Sequence, residues 1–193
     1  MKTEKAVEIP KLKIDVAEFE IVGTSSLIVH RFGEKAIKMI ADKQTKKSKE
    51  RPERNPEGEM KECLYMFSDG TRTGFPAVGF KAAMIRAGKM LEYVMKDLQQ
   101  IIFVMPDEGD LVEILGEYDL RTDMVRVGMG SADIRYRPEY KTWRAKLRLK
   151  YNSSQISAEQ IAQLIDAAGF GCGIGEWRPE KSKTGNYGTW KLA

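Results

Sequence analysis

Arg144, Lys146, Arg148 and Lys150 occupy alternate positions in the segment WRAKLRLKY. Trp143, Ala145, Leu147, Leu149 and Tyr151 fill the positions between them. A period of two is that of a β-strand, here with one apolar face and one cationic face. Alternate strand residues lie roughly 7 Å apart, close to the phosphate spacing of an extended nucleic-acid strand. Arg135, Arg137 and Lys141 stand just upstream. The pattern suits polyanion binding; it also suits a solvated outer face whose acidic partners sit elsewhere on the sheet.

A second candidate is the tail GFGCGIGEWRP, followed by GNYGTW. Alternating glycines such as Gly173 and Gly175 leave one side of an extended segment bare, open to another backbone or to a ligand. Trp177, Arg178, Tyr187 and Trp190 offer stacking and cationic groups of the kind single-strand binders use. The same residues could instead be a glycine bulge packed on a helix, with the indoles in the core. No strand–GxGxxG–helix order is present, Gly128-Met129-Gly130 fails the same test, and there is no Walker sequence.

His30 is the only histidine, so a nucleophile–His–acid triad would have to use it. It follows an apolar strand and precedes Arg31. It is either structural or a general acid or base for attack by a ribose hydroxyl. The stretch from Lys43 to Arg54 is rich in Lys and Arg and reads as a solvated loop or as a clamp that orders on nucleic acid.

The elements that must position these groups follow from composition and periodicity. The chain has 193 residues, 32 Lys and Arg, 28 Asp and Glu, one His and two Cys, for a formal charge of +4. That is the size of one domain, 1–193, able to bury a core. Two distant cysteines and one histidine cannot form a Cys₄, Cys₂His₂ or His₃ zinc site, and no cofactor or metal is expected. Spacing cannot settle a Cys63–Cys172 disulfide; a reduced compartment is the simpler reading. No signal-peptide core or membrane-length apolar run occurs, which predicts a soluble, cytoplasmic protein with no membrane partner.

Residues 17–29 read as strand with a break at Gly23-Thr24-Ser25-Ser26, and 34–41 as a short helix. Residues 42–62 read as a charged mobile insertion. Residues 63–67 read as a strand. A long helical stripe runs from Phe80 to Leu98 after Pro76, with Met84, Met90 and Met95 as core. Residues 101–105 and 111–115 read as strands, and 118–138 as irregular. Ser157 with Gln160 forms a capping box for a helix stopping near Gly169. The remainder reads as glycine-punctuated strand.

Three stretches give the chain a resemblance to the RAMP superfamily, the RNA-binding proteins of CRISPR effector complexes. GTSSLIVH, from Gly23 to His30, is similar to that family's first strand and its exit. GFPAVGFK, from Gly74 to Lys81 and on to Arg86, resembles its strand-to-helix segment with a Lys and a later Arg. Gly173, Gly175, Gly185 and Gly188 resemble its C-terminal glycine-rich loop, though the gap from Glu176 to Thr184 is longer.

The resemblance implies an α+β, ferredoxin-like (RRM-related) antiparallel sheet with two main helices, and a glycine loop that contacts an RNA backbone. The length fits a compact, stand-alone relative, as from a phage or other mobile element. The expectation is a non-catalytic binder of single-stranded RNA or DNA, RNA favoured, that assembles along its ligand or joins a larger nucleoprotein complex. Arg144, Lys146, Arg148, Lys150, Gly173, Gly175, Trp177, Arg178, Tyr187, Lys81 and Arg86 would carry the binding. The alternatives are a metal-independent endoribonuclease using His30 and a single-stranded DNA annealing or recombination protein.

Overall fold

The computed structural model describes residues 11–31, 54–127 and 131–193. The alternating WRAKLRLKY segment forms β9 (Arg144–Asn152), with Ala145, Leu147, Leu149 and Tyr151 buried. It pairs antiparallel with β1 (Ile14–Gly23), placing Phe19 opposite Leu147 and Ile21 opposite Ala145. β5 (Ile102–Met105) lies on the other side of β9, and β10 (Trp190–Leu192) pairs with the end of β1. The sheet order is therefore β10-β1-β9-β5, antiparallel throughout.

Helices cover one face of this sheet. α2 (Ala77–Ala87) precedes β5 in the chain, and α4 (Ala158–Gly171) joins β9 to β10. Their apolar residues Phe80, Met84, Leu164, Ile165 and Ala168 share one core with Leu147 and Leu149. Trp190 sits at the junction. Its ring meets Phe80 and Trp143 edge-on at 5.8 and 6.4 Å, and its Nε1 donates to the Ile165 carbonyl. The capping box closes α4 as its sequence predicts: Ser157 Oγ accepts from the Gln160 amide, and Gln160 Oε1 accepts from the Ser157 amide.

Two smaller three-stranded sheets flank the main one. β2 (Leu27–Ile28) pairs with β8 (Ser131–Tyr140), which pairs with β7 (Tyr118–Val127). β3 (Tyr65–Met66), β4 (Thr73–Pro76) and β6 (Leu111–Glu113) form the other. The mixture of helices and antiparallel sheets makes the protein α+β. Among the described residues no helix is long and apolar enough to cross a membrane.

Four local expectations need correction. Residues 118–127 and 131–138 are not irregular: β7 and β8 form a long antiparallel pair whose charged residues alternate with Leu120, Met124 and Ile134. Strand pairing satisfies its backbone without a continuous apolar face.

The long helix stops at Ala87. A 3₁₀ turn (Gly88–Leu91) and the left-handed Glu92 reverse the chain into α3 (Met95–Ile101), so Met90 and Met95 are exposed while Met84 is buried. Leu98 packs directly over Gly88, where a Cβ would fall 2.3 Å from its Cδ1.

The segment 42–62 is not loop throughout. Pro56–Glu62 is a helix, α1, capped by Asn55 Oδ1 accepting from the Gly58 amide. Arg54 ties it to β8 through Glu59, Asp133 and the Ile134 carbonyl. Residues 42–53, the helix expected over 34–41 and the glycines at 128 and 130 lie outside the described residues. Finally, the tail after α4 is a looped segment with strand only at β10.

Candidate functional site

The basic face of β9 meets acids on both flanks. β1 places Glu18 opposite Arg148 and Glu20 opposite Lys146. Lys146 Nζ lies 3.7 Å from Glu18, and Arg144 lies 3.9 Å from Glu20. Arg148 reaches Asp107 at 3.5 Å and donates to the Pro106 carbonyl. Lys150 sits over the Phe103 ring. The outer face is therefore a mixed-charge surface, and its field on a polyanion is weaker than the strand alone suggests. Lys81 is likewise held near this edge, donating to the Gln99 carbonyl with its ammonium 4.0 Å from the Phe103 ring centre.

The glycine tail is sewn to the exit of β1. The amides of Ile174, Glu176 and Gly188 donate to the carbonyls of Gly188, Ile28 and Ser26. Thr189 bonds the hydroxyls of Thr24 and Ser25. Gly173 and Gly175 adopt positive φ of 67° and 76°. A Cβ on Gly175 would lie 2.4 Å from the Ile28 carbonyl oxygen, and one on Gly173 would lie 3.0 Å from that of Gly188. Their bare side thus faces the protein's own backbone, a correction to the expectation that it faces a ligand.

What the loop presents outward is aromatic and cationic. Trp177 and Tyr187 are half-buried, with ring centres 5.9 Å apart. Trp177 is held at φ 51°, a left-handed conformation that a bulky side chain seldom takes and that concentrates at functional sites. Tyr187 N–H donates to the Trp177 carbonyl across the neck of this turn.

The β7–β8 hairpin supplies two arginines that the sequence reading did not place here. The Arg121 guanidinium lies over both rings at 5.3 and 5.0 Å, and that of Arg137 lies 5.4 Å from Trp177. The two stand opposite each other in the hairpin and share the buried carboxylate of Asp123. Burial works against the charge of Arg121, but Asp123, Tyr187 and Glu139 outweigh it and raise its pKa. The alternating Arg121/Asp123 and Arg135/Arg137 were the available signal; they point one way only once 118–127 and 131–140 are taken as paired strands.

Around this shelf stand Arg178, which donates to the Gly175 carbonyl at 2.8 Å, and Arg86, paired with Glu180. Arg86, Arg178 and Glu180 line a pocket of about 110 Å³ between α2 and the glycine loop. Of the expected site residues, the structure thus gathers Gly173, Gly175, Trp177, Arg178, Tyr187, Arg86 and His30. Lys81 and the β9 cations lie apart from them.

His30 lies at the exit of β2 with Nδ1 3.8 Å from Glu176, whose other oxygen is 3.9 Å from Arg137. Burial, then the Arg137 charge, hold its pKa below the ordinary 6.5, with Glu176 acting in the opposite sense. The imidazole is neutral at neutral pH. As the pH falls below about 6.5 the unfolded chain takes up this proton first, so the stabilisation present above that value declines toward the folded pKa. The urea midpoint is expected to drop between about pH 7.5 and about pH 5.5. His30→Gln should reduce that drop; an unaltered drop in the variant would show that other groups set it.

Cys63 and Cys172 are buried free thiols. Among the described residues no group of three or more His, Cys, Asp or Glu could hold a metal ion. The fold and the site thus define an α+β protein whose most distinctive surface is an arginine-backed aromatic shelf on a glycine loop. No protein-family model matches the chain, and no curated protein matches its sequence.

Proposed function

We propose that the chain binds single-stranded nucleic acid, RNA favoured, without acting on it chemically. The observation that carries this is the Trp177–Tyr187 pair, held half-exposed by a strained turn and backed by Arg121 and Arg137. Stacking on such a pair tolerates any base, and the exposed Lys181 and Lys183 between the two rings in the chain, with exposed Arg31 next to His30, offer phosphate contacts. The sheet order β10-β1-β9-β5, with α2 and α4 on one face, supports the finer reading of the core as ferredoxin-like and RRM-related. On that reading the chain is a compact relative of the RAMP superfamily, working in the cytoplasm.

A second reading rests on the His30–Glu176–Arg137 grouping. A neutral imidazole oriented by a carboxylate beside a buried guanidinium could serve as the base of a metal-independent endoribonuclease.

One experiment addresses both. Labelled single- and double-stranded RNA and DNA are titrated with protein at a series of salt concentrations, then run on a denaturing gel. Three phosphate contacts give a slope of about −2 in log K against log salt. Intact RNA bound with such a slope supports the binder. Cleavage to a cyclic phosphate that His30→Ala abolishes supports the nuclease. Preference for single-stranded DNA with ring formation would favour an annealing protein. No salt-dependent binding to any strand sinks the proposal.

A further inference from the structure

One edge of β1 has no described partner strand over most of its length. The Gly23 amide donates to the Trp143 carbonyl and the Ser153 amide to the Lys13 carbonyl, so odd-numbered residues bond toward β9. The Ala193 amide donates to the Glu20 carbonyl, so even-numbered residues face the opposite edge. β10 covers that edge only from Ile21 to Gly23, with Ala193 at Glu20. The amide and carbonyl groups of Ile14, Val16 and Glu18 point outward from the remainder.

Proteins usually blunt such an edge with charge, proline or a bulge. Here the only charge among the even-numbered side chains beside the uncovered stretch is Glu18, near β10; Leu12, Ile14 and Val16 are apolar and 69%, 53% and 60% exposed. Lys13 and Asp15, between them, are exposed on the other face.

We propose that this edge pairs antiparallel with the same edge of a second copy of the chain, with Ile14 opposite Ile14 of the partner subunit. Directly opposed residues of an antiparallel pair share a face, so only whole-residue registers are possible. Centred on Ile14, the register sets Leu12 against Val16 of the partner subunit on one face and Lys13 against Asp15 of the partner subunit on the other, each twice. Centring on Lys13 or on Asp15 opposes like charges across the twofold axis. Centring on Val16 sets Ile14 against a glutamate and loses both ion pairs.

The Ile14 register is the self-complementary one, and it stops short of the part of β1 that β10 occupies. Because the same patch serves both copies, the contact closes at two and merges their four-stranded sheets. It does not propagate a filament, and it leaves the two glycine loops at opposite ends, roughly 60 Å apart along the strand direction. The dimer does not depend on the nucleic-acid reading.

The test is sedimentation equilibrium of the full chain over a wide concentration range, alone and as Lys13→Asp and Asp15→Lys variants. Both sites are exposed, and circular dichroism checks that the variants fold. The wild type should form a dimer, and each variant should raise the dissociation constant about tenfold or more. An equimolar mixture of the two variants should recover wild-type association, because each acid of the Lys13→Asp chain then faces a lysine of the Asp15→Lys chain. A wild type that is monomeric throughout, a dimer indifferent to both variants, or a mixture no tighter than either variant would overturn the proposal.

Discussion

Trp177→Ala is expected to weaken binding of a single-stranded RNA by about 1–3 kcal/mol, roughly 5- to 150-fold, in a fluorescence-anisotropy titration. The indole stands beside Tyr187, and the guanidiniums of Arg121 and Arg137 lie over it. Its loss removes one stacking surface and one of the two rings under Arg121, which Asp123 continues to hold. Trp177→Phe should recover most of the affinity, because a smaller ring still stacks. Lys146→Ala, on the outer face of the main sheet and apart from the shelf, is the matching control. That ammonium already lies 3.7 Å from Glu18, so its removal should change affinity little. Equal losses from Trp177→Ala and Lys146→Ala would move the interface to the β9 face; no loss from Trp177→Ala would remove the shelf from the interface.

Gly175→Ala is expected to cost about 3 kcal/mol of folding stability, lowering the melting temperature by roughly 6–12 °C. Two effects add. Gly175 sits at φ 76°, where an L-side chain is strained, and a Cβ there would press on the Ile28 carbonyl oxygen and on Leu27 Cδ1 at 2.4 and 2.8 Å. The Ile28 backbone cannot yield as a flexible side chain would, so the loop must part from the β2 strand. A glycine facing a ligand would behave differently: the alanine variant would melt like the wild type and lose only binding. Thermal melts and RNA titrations of the same variant therefore separate the two roles.

Much of the local structure is legible in the sequence because backbone geometry imposes it on neighbouring residues. The period of two in WRAKLRLKY could only bury Ala145, Leu147 and Leu149 together, and it did. Ser157 and Gln160 are close enough to cap a helix whatever surrounds them. The β7–β8 hairpin is hidden in the sequence because its arginines and aspartates pair across the strands, which removes the polar-out signature of an ordinary exposed strand. The stripe after Ala87 misleads for the opposite reason. Its three- and four-residue spacing persists, but Gly88 and Glu92 turn the chain out of the helix.

The candidate site divides along the same line. Length, the histidine and cysteine counts, the amphipathic β9 and the glycine-rich tail are properties of the sequence by itself. Whether the β9 cations are neutralised was decided by the register that sets Glu18 opposite Arg148, residues far apart in the chain. What Gly175 approaches was decided by the docking of the tail on β2. That Arg121 and Arg137 meet Trp177 and Tyr187 was decided by where the hairpin packs. Periodicity reports which face of a segment is buried. Only strand register and packing determine which distant side chain stands against it, and charge neutralisation and stacking depend on that neighbour.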